Sequence, residues 1–176
     1  MRMPMEPLPE SRWARIRMFA MDVDGILTDG RVYIASNGTE SKAFSVVDGL
    51  GLSRIRKAGL LVAWISGRAS DSTTARASEL KISRLLQGRN DKESCLKELM
   101  EEAGLKAAEV CYMGDDVIDV PAMRIAGIGV TVPEAALAVR ENADWITARA
   151  GGFGAVREVC DLLMDARTEK QYETER

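Results

Sequence analysis

Acidic residues occur in two short clusters whose spacing could support chemistry. Asp22 and Asp24 are two residues apart in a D-x-D-G sequence, and Asp115, Asp116 and Asp119 form a second cluster further along the chain. Carboxylates crowded into a partly dry site repel one another, so they stay ionised only where positive charge lies among them. All-oxygen sites favour a hard divalent cation, so the sequence predicts a Mg²⁺ site.

Positive and hydroxyl groups elsewhere in the chain could hold a phosphate beside that cation. Ser66, Gly67 and Arg68 form an S-G-R sequence, and Lys92 opens a later helical pattern. Lysine and arginine make charge-assisted hydrogen bonds to phosphate, and a hydroxyl with backbone N–H groups completes such a cradle. These residue types together therefore predict phosphate chemistry.

Two carboxylates two residues apart can divide the work of ester hydrolysis. Asp22 can attack phosphorus and form an aspartyl-phosphate. Asp24 can protonate the leaving alcohol oxygen and later deprotonate the attacking water. A cation beside them shields the approach of an anionic carboxylate to an anionic phosphate.

Composition excludes several competing functions. The 176 residues include no histidine, which removes Ser-His-Asp triads, Cys-His pairs and His-ligated zinc. Three dispersed cysteines are typical of reduced core thiols in a cytoplasmic protein. The net charge of −3, without a basic run, argues against nucleic acid as a partner. No apolar run approaches the roughly 18 residues of a membrane span, so we expect no membrane partner either.

Strand and helix patterns alternate along the chain and must position these residues. They predict an α/β fold with a doubly wound parallel sheet, in which ligands lie beyond the carboxyl ends of the strands. Strands are predicted at 16–21, 60–65, 82–86, 110–113, 128–132 and 145–147, and helices at 48–58, 70–80, 91–103, 121–126, 133–142 and 154–165.

The chain is predicted to hold a single domain over residues 12–165, after a flexible arm at 1–11 and before a charged tail at 166–176. Residues 31–46 form a β-hairpin insert around Asn37-Gly38, a pair that favours a tight turn. The segments between the chemical motifs hold only this hairpin, two helices and one strand. No cap domain fits there, since such a domain needs at least about 50 residues.

The ordered motifs resemble those of the haloacid dehalogenase (HAD) superfamily. They are D-V-D-G-I-L-T-D-G from Asp22, I-S-G-R, Lys92 in Q-G-R-N-D-K, and G-D-D-V-I-D-V-P from Gly114. The longer stretches T-D-G-R-V-Y, K-A-F-S-V-V-D-G-L-G and A-G-G-F-G-A-V-R-E-V-C-D-L-L resemble the capless 3-deoxy-D-manno-octulosonate 8-phosphate (KDO 8-P) phosphatase subfamily. The resemblance implies a Rossmann-like HAD core and a phosphatase acting on a sugar phosphate.

The resemblance also implies roles for particular residues. Asp22 would be the nucleophile and Asp24 the acid/base, while Asp22, the Asp24 carbonyl and Asp115 would be the Mg²⁺ ligands. Ser66 and Lys92 would bind phosphate, and a homotetramer would bring the hairpins together in a central barrel. The other implied site residues orient the metal shell (Asp116, Asp119) or line the phosphate and substrate site (Gly67, Arg68, Arg76, Ser45, Asp48, Gly49).

The sequence departs from the subfamily pattern at Ser45, Val47, Ser53 and Phe153, where amide or basic residues are usual. These departures concern the sugar pocket, so KDO 8-P stands beside a nine-carbon sugar-acid phosphate or a smaller phosphate ester. A catalytically idle tetramerisation module of a sugar-acid nucleotidyltransferase is the alternative of another class. The complete set of Asp22, Asp24, Lys92 and Asp115 argues against it. Dehalogenases lack the second acid, and a phosphomutase would need a cap.

Overall fold

Six parallel strands make up the centre of the protein, in the order β5-β4-β1-β6-β7-β8, and a separate antiparallel pair joins β2 to β3. The computed structural model describes residues 8–174. The strands are β1 Met18–Met21, β2 Tyr33–Ile34, β3 Glu40–Ser41, β4 Leu61–Ser66, β5 Arg84–Gln87, β6 Val110–Met113, β7 Ile128–Thr131 and β8 Trp145–Ile146. All four residues of β1 are buried, as expected of a central strand covered on both faces.

Helices flank this sheet in two groups. The first helix, α1, and the second, α2, both pack against the last, α7, while α4 packs against α5. Their bounds are α1 Glu10–Trp13, α2 Val46–Lys57, α3 Asp71–Glu79, α4 Lys92–Ala103, α5 Val120–Ile125, α6 Leu137–Arg140 and α7 Ala155–Thr174. The predicted doubly wound parallel sheet without a cap is therefore confirmed. Within residues 8–174, no helix has the length and apolar character needed to cross a membrane.

The register of the central strands explains why the motifs meet. Met21 at the end of β1 lies beside Trp64 on β4 and Met113 on β6. The residues that follow these three positions therefore leave the sheet at one edge. Asp22 is fixed there by its backbone N–H, which donates to the carbonyl of Met113 at 2.9 Å.

The hairpin strands are shorter than predicted. The sequence predicts a hairpin over 31–46, whereas pairing is confined to Tyr33–Ile34 and Glu40–Ser41. Val46, the last residue of the predicted hairpin, instead begins α2, because the Ser45 hydroxyl accepts a hydrogen bond from the backbone N–H of Asp48 at 3.3 Å.

Two predicted helices differ from the structure by more than two residues at one end. The helix predicted at 133–142 is wrong over its first turn, and only Leu137–Arg140 is helical. A tight turn takes its place, in which the backbone N–H of Ala135 donates to the carbonyl of Val132 at 3.2 Å, and the backbone N–H of Ala136 donates to the carbonyl of Asp115 at 3.3 Å.

The last helix continues past its predicted end at residue 165, through a segment without glycine or proline, to Thr174. Arg167 ties this extension to the body by donating to the carbonyl of Ile16 at 3.0 Å. Residues 1–7 of the predicted arm lie outside the described residues, and the division into arm, domain and tail stays a prediction.

Candidate active site

The centre of the site is the buried ammonium of Lys92, at the first turn of α4. Its side chain is fully buried, and Nζ lies 2.8 Å from Asp22 Oδ1 and 2.8 Å from Asp119 Oδ1. Burial works to lower the pKa of Lys92, but the charges of Asp22 and Asp119 outweigh it and raise that pKa. A buried ion costs several kcal/mol unless it is paired, so Lys92 requires both carboxylates.

Asp119 anchors Lys92 and the loop that follows β6. It is fully buried, and Oδ1 also accepts a hydrogen bond from the Tyr112 hydroxyl at 2.7 Å. Oδ2 accepts from the backbone N–H groups of Asp115 and Asp116, both at 3.2 Å. Sequence reasoning gave Asp119 an indirect part in the metal shell and did not identify Tyr112, because a buried tyrosine on a strand is indistinguishable from a core residue.

Asp22 and Asp115 lie close together, and the pKa values of both carboxyl groups are raised. Burial, with the charge of Asp119 added, raises the pKa of Asp22 to about 6, although Lys92 offsets part of the effect. Burial and the charges of Asp22 and Asp119 raise the pKa of Asp115 to about 7. One carboxylate oxygen each of Asp22, Asp115 and Asp119 lies within 4.8 Å of the others. The three carboxylates together carry more negative charge than the single positive charge of Lys92 can balance, so the cluster lacks positive charge.

Two further observations fit a bound cation at this cluster. Oδ1 of Asp115 is buried and accepts no hydrogen bond from any described residue. Gly25 has a φ of +87°, and a methyl group on its α-carbon would overlap the Asp115 carboxylate. The chain therefore presents an unsatisfied hard oxygen beside Asp22, which is the donor set that Mg²⁺ prefers.

Asp24 lies on the same loop and forms an ion pair with a second buried lysine. Its Oδ1 is 2.6 Å from the ammonium of Lys42, whose side chain is fully buried. Sequence reasoning did not identify Lys42, because a lysine next to a short exposed strand is usually solvated.

The S-G-R sequence closes the end of β4 beside the acids. The Ser66 hydroxyl donates to the carbonyl of Arg68 at 2.9 Å and accepts from its backbone N–H at 3.2 Å. A methyl group on the α-carbon of Gly67 would overlap the side-chain oxygen of Asn90, which would have to move. The guanidinium of Arg68 donates to Glu40 at 2.7 Å, so Arg68 is paired with a residue of the hairpin.

Four of the predicted substrate-binding residues have other contacts. Asp48 is buried and accepts hydrogen bonds from the backbone N–H groups of Gly154 at 3.2 Å and Arg157 at 2.8 Å, at the start of α7. Ser45 caps α2, and its carbonyl accepts from Arg76 at 3.1 Å. Arg76 also covers Gly49. These contacts join the start of α2 to α3 and to α7, and none of them is with Asp22, Asp115 or Asp119.

Asp116, predicted to orient the metal shell, is exposed and accepts a hydrogen bond from the backbone N–H of Val117 at 2.7 Å. It caps the turn that carries Asp119 back into the cluster.

A cavity of about 340 Å³ lies beside the loop that carries Asp24. Residues 151 and 152 pack directly on the backbone of Gly25 and Thr28, which brings the C-terminal loop to this cavity. Its lining residues are Asp29, Ala43, Phe44, Ser45, Val47, Arg149, Gly152 and Phe153. Arg149 is exposed, and no carboxylate of residues 8–168 lies within 4.0 Å of its guanidinium. Sequence reasoning did not identify Arg149.

Comparison with known proteins agrees with this geometry. The sequence profile of a haloacid dehalogenase-like hydrolase family matches residues 57–158. The chain belongs to this family. The 3-deoxy-D-manno-octulosonate 8-phosphate phosphatase of Salmonella typhimurium is 40% identical to this HAD enzyme over 164 residues, covering 93% of this chain and 87% of the relative.

Solved structures extend the likeness to this HAD enzyme's whole fold. The phosphatase of the same name from Moraxella catarrhalis, in complex with a magnesium ion, a phosphate ion and KDO, has a TM-score of 0.89 and 43% identity, covering 95% of this chain and 97% of that chain. The cobalt-bound deoxy-D-mannose-octulosonate 8-phosphate phosphatase of Haemophilus influenzae has a TM-score of 0.86 and 36% identity, covering 89% and 92%. The chain is thus an HAD-type phosphatase.

Cation binding by this HAD phosphatase should weaken as the pH falls below about 7, because Asp22 and Asp115 must lose protons first. Their folded-state pKa values lie above the unfolded value of 3.8. Without a cation, these groups therefore reduce the stability of the fold as the pH rises from about 4 to about 7. The rise in melting temperature on adding MgCl₂ should be larger at about pH 8 than at about pH 5.5.

Asp115→Asn should remove most of this metal-dependent rise, whereas Asp71→Asn, at the exposed start of α3, should keep it. An equal rise at both pH values in the unmodified protein would contradict the prediction.

Proposed function

We propose that this chain is a Mg²⁺-dependent phosphomonoesterase that works through an aspartyl-phosphate on Asp22 and releases a sugar acid, with KDO 8-P as the favoured substrate. The observation that supports it most directly is the buried Lys92–Asp22 pair beside the unsatisfied carboxylate of Asp115. It orients a carboxylate and leaves a cation position next to it. The similarity to KDO 8-P phosphatases supports the substrate.

In this proposal Asp22, the carbonyl of Asp24 and Asp115 hold the Mg²⁺, which when bound neutralises charge between carboxylate and phosphate. Lys92 and the hydroxyl of Ser66 orient the phosphate by charge-assisted and neutral hydrogen bonds. Lys92 also holds Asp22 Oδ1, which restricts the orientation of the carboxylate that attacks phosphorus.

The two aspartates then divide the two chemical steps between them. A carboxylate oxygen of Asp22 bonds to phosphorus while the bond from phosphorus to the sugar oxygen breaks, and Asp24 gives that oxygen its proton. In the second step Asp24 takes a proton from water, whose oxygen bonds to phosphorus as the bond to Asp22 breaks. Inorganic phosphate leaves, and both aspartates return to their starting state.

Asp22→Asn should abolish turnover, because the amide is a poor acceptor of the phosphoryl group. Asp24→Asn should slow alkyl phosphates by roughly 10²–10⁴-fold, the usual range for a general acid/base. p-Nitrophenyl phosphate should lose less, since its leaving group departs without a proton. Phosphate release on both substrates, with and without EDTA, measures these effects. Equal losses on both substrates for Asp24→Asn would reject its role, and no phosphate release by the unmodified protein would favour the idle-module alternative.

The cavity at the C-terminal loop supports an acidic sugar as the leaving group. Ser45, Val47 and Phe153, three of the four positions that depart from the subfamily pattern, line it. Arg149 lines the same cavity and has its guanidinium free to meet a carboxylate. Bidentate arginine–carboxylate pairs give both affinity and orientation, so Arg149 supplies the positive group that residue 153 lacks.

Arg149→Met should raise KM for KDO 8-P by at least about tenfold, the scale of one lost charge-assisted hydrogen-bond pair, and leave p-nitrophenyl phosphate unaffected. Arg124→Met is the matched control, since Arg124 pairs with Asn142 away from the cavity. The same assay with a nine-carbon sugar-acid phosphate and a neutral sugar phosphate separates the alternatives. A neutral sugar phosphate turned over as efficiently as both acids would overturn the sugar-acid assignment.

A homotetramer in the cytoplasm is part of this proposal. The hairpin and the start of α2 expose apolar side chains that a neighbouring copy could cover, with exposed fractions of 71% for Ile34 and 80% for Val46. Phe44, by contrast, already packs partly against the core of its own chain. The three cysteines are free and buried, which suits a reducing compartment.

Ile34→Asp should dissociate the tetramer, because a carboxylate would have to be buried at the interface. Light scattering measures the mass directly. Leu61→Asp is a control at an exposed apolar residue on β4, outside the hairpin. A monomeric unmodified protein with full sugar-phosphate activity would contradict the assembly.

A further inference from the structure

The hairpin carries a lysine that is more deeply buried than its position would require. The side chain of Lys42 has 0% exposure, whereas Tyr33 and Ile34 on the paired strand are 52% and 71% exposed. Removing an ammonium from water costs several kcal/mol unless good partners repay it. The contacts of Lys42 therefore indicate which function its burial has.

The shortest of those contacts is to Asp24. Nζ of Lys42 lies 2.6 Å from Asp24 Oδ1 and 3.8 Å from Glu40 Oε1. It also donates to the hydroxyl of the buried Thr73 on α3, at 3.4 Å. A lysine that only fastened the hairpin to the body would need no partner beyond Glu40 and Thr73. This one instead extends to the carboxylate two residues after the nucleophile.

The contact leaves the two oxygens of Asp24 unequal. Oδ1 is buried and accepts no hydrogen bond from any described residue, so its contact with Lys42 is an ion pair. The side chain as a whole nevertheless retains 20% exposure. The exposed part therefore excludes the oxygen that Lys42 holds. Oδ2 is left as the oxygen that can face a leaving group or a water.

The backbone around Lys42 is itself fixed. The carbonyl of Glu40 accepts a hydrogen bond from the Ser72 hydroxyl at 3.2 Å, and its carboxylate pairs with Arg68 at 2.7 Å. These contacts tie β3 to the start of α3 and to the S-G-R turn. Lys42 thus extends toward Asp24 from the position directly after a strand that is held at two points.

We propose that Lys42 is a positioning residue for Asp24: its ammonium holds Oδ1 and so presents Oδ2 to the leaving-group oxygen of the substrate. Each aspartate then has its own buried lysine, Lys92 for Asp22 and Lys42 for Asp24. The inference rests on the proposed function, because it assumes that Asp24 transfers the proton.

The test compares substrates that do and do not need that proton. Lys42→Met keeps the length of the side chain and removes the charge. It should lower kcat for an alkyl phosphate such as KDO 8-P by about 10–100-fold, within the range of general acid catalysis, with KM nearly unchanged. p-Nitrophenyl phosphate should lose less than about threefold, because its leaving group requires no protonation. That substrate also reports whether the variant is folded.

A double mutant and a matched control sharpen the result. Lys42→Met combined with Asp24→Asn should be no slower on the alkyl phosphate than Asp24→Asn alone, since the two residues act as one unit. Lys42→Arg should recover part of the loss because it restores a cation. Lys97→Met, which breaks the exposed Lys97–Glu93 pair, should change neither substrate.

The outcomes separate this inference from the proposed function. If Asp24→Asn shows no leaving-group dependence, the acid/base role fails. If Asp24→Asn shows it and Lys42→Met slows both substrates equally, or the two losses multiply, Lys42 is a structural tether and the inference is overturned.

Discussion

The buried pair between Lys92 and Asp22 is the interaction on which the rest of the site depends. An ammonium at this depth is tolerable only with carboxylates on more than one side, and Asp119 supplies the second. Asp119 is in turn fixed by Tyr112 and by two backbone N–H groups of the loop after β6. The turn after β6 therefore supplies the second carboxylate that balances the charge of Lys92.

The net charge of the site remains negative, which favours the binding of a cation. Asp22, Asp115 and Asp119 lie together against the one charge of Lys92. Burial raises the pKa values of Asp22 and Asp115, because the one charge of Lys92 offsets only part of the cost of ionising both. The close fit of Gly25 against Asp115 keeps that carboxylate in place. The protein therefore holds these acids together at a cost that a bound cation repays.

In the proposed function, the chemistry and the specificity are carried by different parts of the chain. The phosphoryl-transfer groups lie at the ends of β1, β4 and β6 and at the start of α4, all parts of the buried sheet and its helices. The cavity proposed to hold the sugar is formed by the end of the hairpin segment and the loop before α7. That loop is held by Asp48, whose carboxylate accepts hydrogen bonds at the start of α7. Substitutions in the cavity wall can therefore change the sugar and leave the phosphate chemistry intact.

The sequence alone determined the parallel sheet, the absence of a cap and the convergence of the acids, since residues at the ends of neighbouring parallel strands must share an edge. It placed Asp22, Asp115 and Lys92 together for that reason. It could not determine the partners of side chains that cross between elements. Lys42 reaches Asp24 only because the hairpin folds over the loop, and Asp48 meets α7 from more than 100 positions away. Such contacts depend on how elements pack, so only the tertiary structure decided which charges are paired, which are free, and where the last helix ends.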